Sequence, residues 1–290
     1  MNVSTINKKQ VTNWILNLCA IAFALFPVVS VGLWANQVFS GDPRKVTHLE
    51  PIAQTDPRLF EEPLISITFD DGWESIYKEA APLMDTYDIA STQYIIPSLY
   101  NDPNYISLEQ AHSLRKAGHE IASHTWSHDN LAEISLDDAR TQLTKADKSL
   151  KDLTDKDRKM SFASPESSTN AAVMPIIKDL YSSHRNTFAD FGNGVNDVDI
   201  NVSPSFDRYN IIGFAVRPTT TDAEIQSAMD YAKAHNGWLV LVYHQIDNTG
   251  ETFSASPKEL ERQLKLIKKS GIKTALVRDV MESYNSQEKK

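Results

Sequence analysis

Predicted β-strands and amphipathic helices alternate from residue 64 to residue 284, and this alternation limits the fold more than any other feature of the sequence. The clearest strand candidates are the apolar, β-branched runs 64–69 and 238–243. Between such runs, apolar residues recur at helical spacing, most clearly over 136–150. Strands separated by helices pair in parallel, and the helices then cover the sheet as a barrel or as an open layer. The sequence therefore predicts an α/β domain built on a parallel sheet.

A long uncharged segment precedes this domain. No charged residue occurs between Gln10 and Gly41, and the stretch 14–35 is almost entirely apolar. As a helix this stretch would be about 33 Å long, close to the hydrocarbon thickness of a bilayer. Lys8 and Lys9 lie just before it, which predicts that the amino terminus stays in the cytoplasm and the remainder is exported. A cleavable signal peptide is the alternative, although its apolar core is usually shorter.

The chain thus divides into four predicted segments. Residues 1–13 form a cytoplasmic amino terminus, 14–35 a transmembrane anchor or uncleaved signal, 36–62 a proline-containing linker, and 63–290 the folded domain. The expected location is at the membrane, through the amino-terminal helix, with the folded domain on the periplasmic or extracellular face.

Composition argues against nucleic-acid binding and excludes structures that depend on several cysteines. The chain has 29 basic and 38 acidic residues, a net charge of −9, which argues against a nucleic-acid-binding protein because phosphate contacts need a basic surface. Cys19 is the single cysteine, so neither an intramolecular disulfide nor a cysteine-based zinc cluster is possible. Any metal must be held by His, Asp or Glu. The sequence carries no signal for an oligomeric state.

The residues that can carry chemistry directly follow three predicted strands. Asp70 and Asp71 follow the first strand, His124 and His128 follow a strand near residue 123, and His244 follows the strand 238–243. In a β/α barrel the carboxyl ends of the strands share one rim, where active sites lie. One carboxylate and two imidazoles can hold a hydrolytic Zn²⁺, which leaves a second carboxylate as base and a third imidazole as acid.

Each of these motifs has a structural alternative when taken alone. Asp70-Asp71-Gly72 is also typical of a turn that leads into a helix, because Asp is common at both places. The histidines of His124-Thr-Trp-Ser-His128 are two unrelated surface residues in the alternative interpretation. The combination of the three sites is much more specific than any one of them.

These residues resemble the motifs of the polysaccharide deacetylase (NodB-homology) family. Thr68-Phe-Asp-Asp-Gly72 matches its first motif, His124-Thr-Trp-Ser-His128 its second, and Leu241 with His244 its late Leu-x-x-His motif. The resemblance covers roughly residues 64–284 and implies a distorted β/α barrel, here preceded by the transmembrane helix. It further implies a hydrolase that uses a divalent metal, usually zinc, to remove N-acetyl groups from an N-acetylglucosamine-containing polysaccharide.

The resemblance also implies a role for each motif residue. Asp71, His124 and His128 bind the metal, Asp70 is the general base and His244 is the general acid. Two alternatives stay open for the activity. One is a carbohydrate-binding pseudoenzyme that keeps the barrel, and the other is an O-acetyl esterase acting on xylan.

The third motif departs from the family pattern. The family has an aromatic residue after a proline, often with an arginine before it, whereas here Glu166 follows Pro165 and no arginine precedes them. The backbone N–H of Glu166 is a candidate donor to the oxyanion of the reaction. Its carboxylate would disfavour a nearby oxyanion unless it points away or is paired.

Four further residues are candidates for supporting roles. Arg185 and Asp190 are candidates for contacts with Asp70 and His244, but an exposed ion pair is the favoured alternative for both. Trp73 and Trp126 flank the first two motifs and are candidates for stacking on sugar rings, with packing in the core as the alternative.

Overall fold

The computed structural model describes residues 60–155, 158–189, 200–202 and 206–287 of the chain. Within these ranges no helix combines the length and the apolar character that crossing a bilayer requires. The predicted segments 1–13 and 14–35, and the linker 36–62 up to residue 59, lie outside the described residues. The anchor, its orientation and the domain boundaries therefore stay predictions.

Parallel strands form a barrel at the centre of the described part of the chain. They are β1 (Leu64–Phe69), β2 (Thr92–Ile95), β3 (Glu120–Ser123), β4 (Ser161–Ala163), β5 (Ser183–Ala189), β6 (Ile211–Ala215), β7 (Trp238–Tyr243) and β8 (Lys273–Thr274). The first seven strands pair in chain order, and β7 pairs with β1 to close the ring. This closed parallel ring confirms the predicted β/α barrel.

The barrel is distorted where β1 meets β2. These two strands pair only through the carboxyl end of β1, at Thr68 and Phe69. At the amino end of the same edge, Leu64 and Ile65 pair with β8 instead. The short eighth strand therefore occupies the gap that opens between β1 and β2.

Helices follow most strands and cover the outside of the barrel. A single π-helical segment, Ile76–Ala80, continues into α1 (Ala81–Thr86). The others are α2 (Leu108–Lys116), α3 (Leu136–Leu150), α4 (Met174–Leu180), α5 (Asp222–His235), α6 (Pro257–Ser270) and α7 (Val277–Gln287). Ser107, Thr221 and Ser256 begin α2, α5 and α6 with capping boxes, which satisfy backbone N–H groups that lack a partner within the helix.

The alternation of side chains along each strand separates an apolar layer from a polar interior. Ile65, Ile67 and Phe69 of β1 pack in the core under the helices, and every second residue points the other way. That opposite face carries Ser66 and Thr68, which hydrogen-bond to backbone carbonyls of neighbouring segments. Residue 70, just beyond the strand, continues this alternation and lies on the same face as Ser66 and Thr68. The inside of the barrel is therefore suited to polar groups at its carboxyl end.

Candidate metal and catalytic site

Three side chains from two loops converge at the carboxyl end of the barrel. Asp71 Oδ1 lies 3.5 Å from His124 Nε2 and 3.4 Å from His128 Nε2. One ligand atom from each residue lies within 4.8 Å of the other two. The structure thus brings together the three residues predicted to bind the metal.

The backbone of both loops is shaped to direct these side chains. Asp71 and Gly72 both have positive φ, 71° and 79°, so the chain reverses directly after β1. Glycine adopts this conformation at no steric cost, and aspartate tolerates it better than most residues. His128 also has a positive φ, 66°, and its N–H donates to Thr125 Oγ1 at 3.0 Å. The loop after β3 is therefore tight enough to return His128 to the side of His124.

The protonation pattern leaves ligand atoms available for a cation. His124 Nδ1 lies 2.8 Å from the carbonyl oxygen of Ala163, so Nδ1 carries the hydrogen and Nε2 presents a lone pair. Trp73 Nε1 donates to Asp71 Oδ2 at 3.0 Å, which leaves Asp71 Oδ1 facing the imidazoles. This buried oxygen accepts no hydrogen bond within the described residues. A buried carboxylate oxygen facing two imidazole nitrogens fits a divalent cation.

Electrostatics support an ionised carboxylate at this point. Burial opposes ionisation of Asp71, but His124 and His128 outweigh it and hold its pKa well below the ordinary value. For His128, burial lowers the pKa, but Asp71 outweighs burial and the net shift is upward. Asp71 thus favours a proton on His128, and a bound cation would replace that proton.

Asp70 lies beside this cluster and is held by a buried arginine. Arg185 Nη2 lies 2.6 Å from Asp70 Oδ1 and 2.5 Å from Oδ2. The Asp70 carboxylate and the Arg185 guanidinium are both essentially inaccessible to solvent. Asp70 Oδ2 is also 4.0 Å from His124 Nε2, which places Asp70 at the edge of the metal cluster. For Arg185 the alternative of an exposed ion pair is wrong, because the pair is buried in the barrel.

Arg185 reaches Asp70 from an unexpected strand. It lies on β5, in register with Ala163 of β4, the residue two before Pro165. On its other side, a Cβ at Gly213 would lie only 2.7 Å from Arg185 Cδ, so the glycine makes room for the long side chain. The neighbouring strand therefore supplies a guanidinium beside the place where the family motif often has one. Asp190, the other predicted contact, lies outside the described residues.

His244 completes the cluster from the end of β7. Its Nε2 lies 3.9 Å from Asp70 Oδ2, and its ring packs against Phe253 with a centroid distance of 4.8 Å. Burial lowers the pKa of His244, and the nearby carboxylates of Asp70 and Asp71 only partly oppose this. Its buried Nδ1 has no hydrogen-bond partner within the described part of the chain. The arrangement gives a neutral imidazole that can receive a proton from the direction of Asp70.

The altered third motif forms a turn at the rim. Pro165–Ser167 is one turn of 3₁₀-helix in which Glu166 has a φ of 53°. The Glu166 side chain is exposed, and Asn130 Nδ2 donates to its Oε2 at 2.9 Å. The carboxylate is therefore exposed and hydrogen-bonded to a neutral amide, and its charge helps to raise the pKa of His128.

A buried serine–histidine contact, which the sequence analysis did not identify, supports this turn. Ser164 Oγ lies 2.5 Å from His184 Nε2, and His184 Nδ1 lies 3.1 Å from the carbonyl oxygen of Tyr209. The imidazole also stacks on Phe162 of β4. A histidine within the polar run of β5 was the available signal, but nothing in the spacing links it to Ser164.

The two tryptophans differ in their surroundings. Trp73 is half-buried, stacks on Tyr105 with centroids 4.7 Å apart, and borders an open groove. Trp126 is also half-buried, but Lys145 Nζ lies 4.5 Å above its ring and occupies that face. Trp73 is therefore better placed than Trp126 to contact a sugar.

The groove leads to the cluster from one side. It has a volume of about 790 Å³ and lies between the loop after β1 and the loop after β7. Asp71 and His244 line it, as do the aromatic rings of Trp73 and Phe253. A sugar residue in this groove would lie beside both the predicted metal ligands and the predicted acid.

The geometry agrees with a comparison against known protein families. The family model described as polysaccharide deacetylase matches residues 59–182. Residues 59–182, less than half of the chain, are thus similar to the polysaccharide deacetylase (NodB-homology) family. This match includes β1 and the second motif, so it covers four of the five clustered residues.

Two curated relatives match parts of the chain. A gellan lyase of a Bacillus species is 26% identical over 211 residues, which are 69% of this chain and 8% of that protein. YxkH of Bacillus subtilis, named as a polysaccharide deacetylase, is 26% identical over 94 residues, 32% of this chain and 34% of that protein. The chain therefore spans about a third of the length of one relative and less than a tenth of the other.

Three solved structures share the fold. A CE4 family pseudoenzyme from Bacillus anthracis has a TM-score of 0.52 and 19% identity, over 77% of this chain and 66% of the other. A family 4 acetyl xylan esterase from Clostridium thermocellum, in complex with a cobalt ion, has a TM-score of 0.51 and 19% identity, over 76% of this chain and 90% of the other. A peptidoglycan N-acetylglucosamine deacetylase, Bc1960, has a TM-score of 0.53 and 15% identity, over 77% of this chain and 90% of the other. At these identities the similarity establishes the barrel fold.

Proposed function

We propose that this chain is a metal-dependent hydrolase that removes N-acetyl groups from an N-acetylglucosamine-containing polysaccharide. The observation that carries the proposal is the convergence of Asp71, His124 and His128 on one point, with Asp70 and His244 beside them. Similarity to the polysaccharide deacetylase family supports an acetylated carbohydrate as the substrate.

Asp71, His124 and His128 are the residues that would hold the metal. One carboxylate and two neutral imidazoles are borderline-hard ligands that suit Zn²⁺, which we propose as the resident ion. Such an ion, when bound, supplies Lewis-acid polarisation of the acetyl carbonyl and lowers the pKa of a water molecule.

Asp70 is proposed to act as the general base. Arg185 holds both of its carboxylate oxygens, so the carboxylate has a fixed orientation in the buried site. Asp70 takes a proton from the attacking water while the water oxygen bonds to the acetyl carbon. The backbone N–H of Glu166 is the proposed donor to the oxyanion that then develops on the acetyl oxygen.

His244 is proposed to act as the general acid. The separation of 3.9 Å between its Nε2 and Asp70 Oδ2 gives the water-derived proton a short route to the imidazole. His244 then protonates the nitrogen as the C–N bond breaks. The products are acetate and a free amine on the sugar.

Two other activities compete with this proposal. The replacement of the family aromatic residue by Glu166 motivates a carbohydrate-binding pseudoenzyme, and one relative in fold is described as a pseudoenzyme. Another relative in fold is described as an acetyl xylan esterase, which motivates O-deacetylation of xylan. The intact set of five clustered residues favours turnover over binding alone.

The proposed location is outside the cytoplasm. It depends on the uncharged stretch 14–35 acting as a membrane anchor with Lys8 and Lys9 on the cytoplasmic side. A polysaccharide substrate is consistent with an exported domain.

The test is acetate release by the full-length chain, measured together with its metal content. An N-acetylglucosamine oligomer and acetylated xylan are offered in parallel to the native protein, the chelator-treated protein and Asp71→Ala. We expect acetate from the oligomer, loss of activity on chelation, recovery with Zn²⁺, and loss of both metal and activity in Asp71→Ala. Asp179→Asn, an exposed change on α4, is the matched control. Metal binding without acetate release would favour the pseudoenzyme, and release from xylan alone would favour the esterase.

A further inference from the structure

The groove beside the candidate site is lined with more carboxylates than cationic groups. Glu74, Glu79, Asp247 and Glu251 line it together with one ammonium group, that of Lys78. Lys78 Nζ lies 2.7 Å from Glu74 Oε2, so the lysine is already paired. Glu79 and Glu251 are exposed and have no ion-pair partner within the described ranges. The groove therefore carries an excess of negative charge at neutral pH.

A further carboxylate lies at the same end of the barrel, in the turn after β4. Glu166 is exposed there, and its hydrogen bond from the neutral Asn130 amide leaves its charge uncompensated. It adds to the negative charge at this end of the barrel.

Other features of the groove indicate a sugar chain as its ligand. Trp73 and Phe253 line the groove, with Tyr105 stacked on one face of the Trp73 ring and the Arg217 guanidinium over the Phe253 ring. One buried polar atom of a lining residue, His244 Nδ1, lacks a hydrogen-bond partner within the described part of the chain. The remaining face of Trp73 and an unpartnered polar atom match the face and the hydroxyl rim of a pyranose ring.

We propose that the groove selects a glycan that already carries free amines, that is, a partly de-N-acetylated and therefore cationic glucosamine polymer. The proposal rests on the proposed function, because that reaction itself creates the amines. A sugar amine is partly protonated near neutral pH, and nearby carboxylates favour its protonated form, so each turnover adds a group that the groove attracts as a cation. The same carboxylates repel released acetate and disfavour anionic polysaccharides.

A further consequence concerns the course of the reaction. Sugar units next to one that has already been deacetylated bind better than sugar units within a fully acetylated stretch. Acetate release from a fully acetylated oligomer should therefore start slowly and accelerate as amines accumulate.

The experiment compares three oligomers of equal length with the full-length chain. The first is fully N-acetylated, the second is partly deacetylated, and the third is the second with its amines succinylated, which reverses their charge. We expect kcat/KM per acetyl group at low salt to be about tenfold higher for the cationic oligomer than for the neutral one. We expect the succinylated oligomer to be the poorest substrate, and the differences to shrink as salt screens the charges.

Two variants separate groove charge from general effects. Glu79→Gln combined with Glu251→Gln should reduce the preference for the cationic oligomer, and Asp179→Asn on α4 should keep it. The readout is the ratio of kcat/KM for two substrates within one protein, so it does not depend on the fraction of active protein.

The outcomes distinguish this inference from the proposed function. Acetate release from none of the oligomers by metal-loaded protein would overturn the proposed function. Equal rates on cationic and neutral oligomers, or a preference for the succinylated one, would overturn the inference and leave the proposed function intact. A preference that survives both high salt and the double substitution would also overturn it.

Discussion

Asp70 at one end of the barrel and Glu120 at the other are both almost fully buried, but their surroundings differ. Asp70 at the carboxyl end is paired with the guanidinium of Arg185, beside a groove of about 790 Å³. Glu120, which begins β3 at the amino end, is surrounded by neutral donors. It accepts from Thr92 Oγ1 and Ser161 Oγ, both at 2.7 Å, and from the N–H of Arg278 at 3.0 Å.

The difference separates a reactive carboxylate from a structural one. Both Glu120 oxygens accept hydrogen bonds, and burial raises the pKa of Glu120 above its ordinary value. One of those bonds joins β3 to the first turn of α7, whose N–H groups have no helical partner. The site end instead pairs its carboxylate with a guanidinium, next to buried atoms that have no hydrogen-bond partner among the described residues. Incomplete satisfaction near an open groove, and not burial itself, marks the functional end.

The largest expected effect comes from removing the charge of Asp70. Asp70→Asn keeps the shape of the side chain but cannot take a proton from water. Acetate release should fall about 10²- to 10⁴-fold, with the metal retained. Metal analysis and acetate assays on the same sample check this. Unchanged acetate release would remove the base assignment.

Removing the partner of Asp70 should have the next largest effect. Arg185→Met leaves a buried carboxylate unpaired, which costs roughly 3–5 kcal/mol of unfolding free energy. Activity per folded molecule should fall about 10- to 100-fold because the carboxylate loses its orientation. Denaturant unfolding and kcat measure the two effects separately.

Arg185→Lys is the matched control for this substitution. It restores the positive charge but not the planar guanidinium whose Nη2 contacts both oxygens, so it should recover stability more than activity. Full recovery of both would show that charge alone matters.

At the other end of the barrel, substitutions should change stability and leave chemistry intact. Glu120→Ala removes the acceptor of three donors and should cost roughly 2–3 kcal/mol of unfolding free energy. Glu120→Gln keeps the size of the side chain and one of its two acceptor oxygens, so it should cost less. Activity per folded molecule should be unchanged in both. A loss of kcat in Glu120→Gln would contradict the separation of the two ends.

The last expected effect is a pH dependence of stability that originates in the turn next to the site. Burial lowers the pKa of His184 to about 3, from an ordinary value of 6.5. The unfolded chain therefore binds a proton below pH 6.5 that the folded chain rejects. The stabilisation is fully present above pH 6.5 and is lost as the pH falls towards 3, by at most about 1.4 kcal/mol per pH unit.

His184→Gln should remove this part of the slope of unfolding free energy between pH 6.5 and pH 4. His112→Gln, on the exposed side of α2, is the matched control for removing one imidazole. A variant slope equal to that of the native protein would show that His184 does not titrate in this way.

Much of the fold follows from the hydrophobic pattern, and the exceptions have a physical reason. β1, β7 and α3 occur where the apolar period predicts them, because one full face of each is buried. The pattern does not predict β4, β5 or β6. β4 has only three residues, which is too short to show a period. β5 begins with the polar run Ser-His-Arg-Asn, because this strand carries polar groups that support the site.

The site was predictable in composition but not in its supporting contacts. The order and spacing of Asp70, Asp71, His124, His128 and His244 predict one cluster, and the structure brings the five together. Their catalytic roles stay predictions. The strand that supplies the arginine, the His184 contact and the charge of the groove depend on residues far apart in the chain. No local pattern relates such residues to one another.

The position of Arg185 bears on how such chains are judged from motifs. A search that expects the arginine immediately before the proline would score this sequence as defective at its third motif. Adjacent strands of a barrel, however, direct side chains to nearly the same point inside it, so an arginine on a neighbouring strand can reach the same carboxylate. The absence of a motif residue therefore does not mean that its side chain is absent from the site. A small residue on the next strand, such as Gly213 beside Arg185, indicates where such a side chain is accommodated.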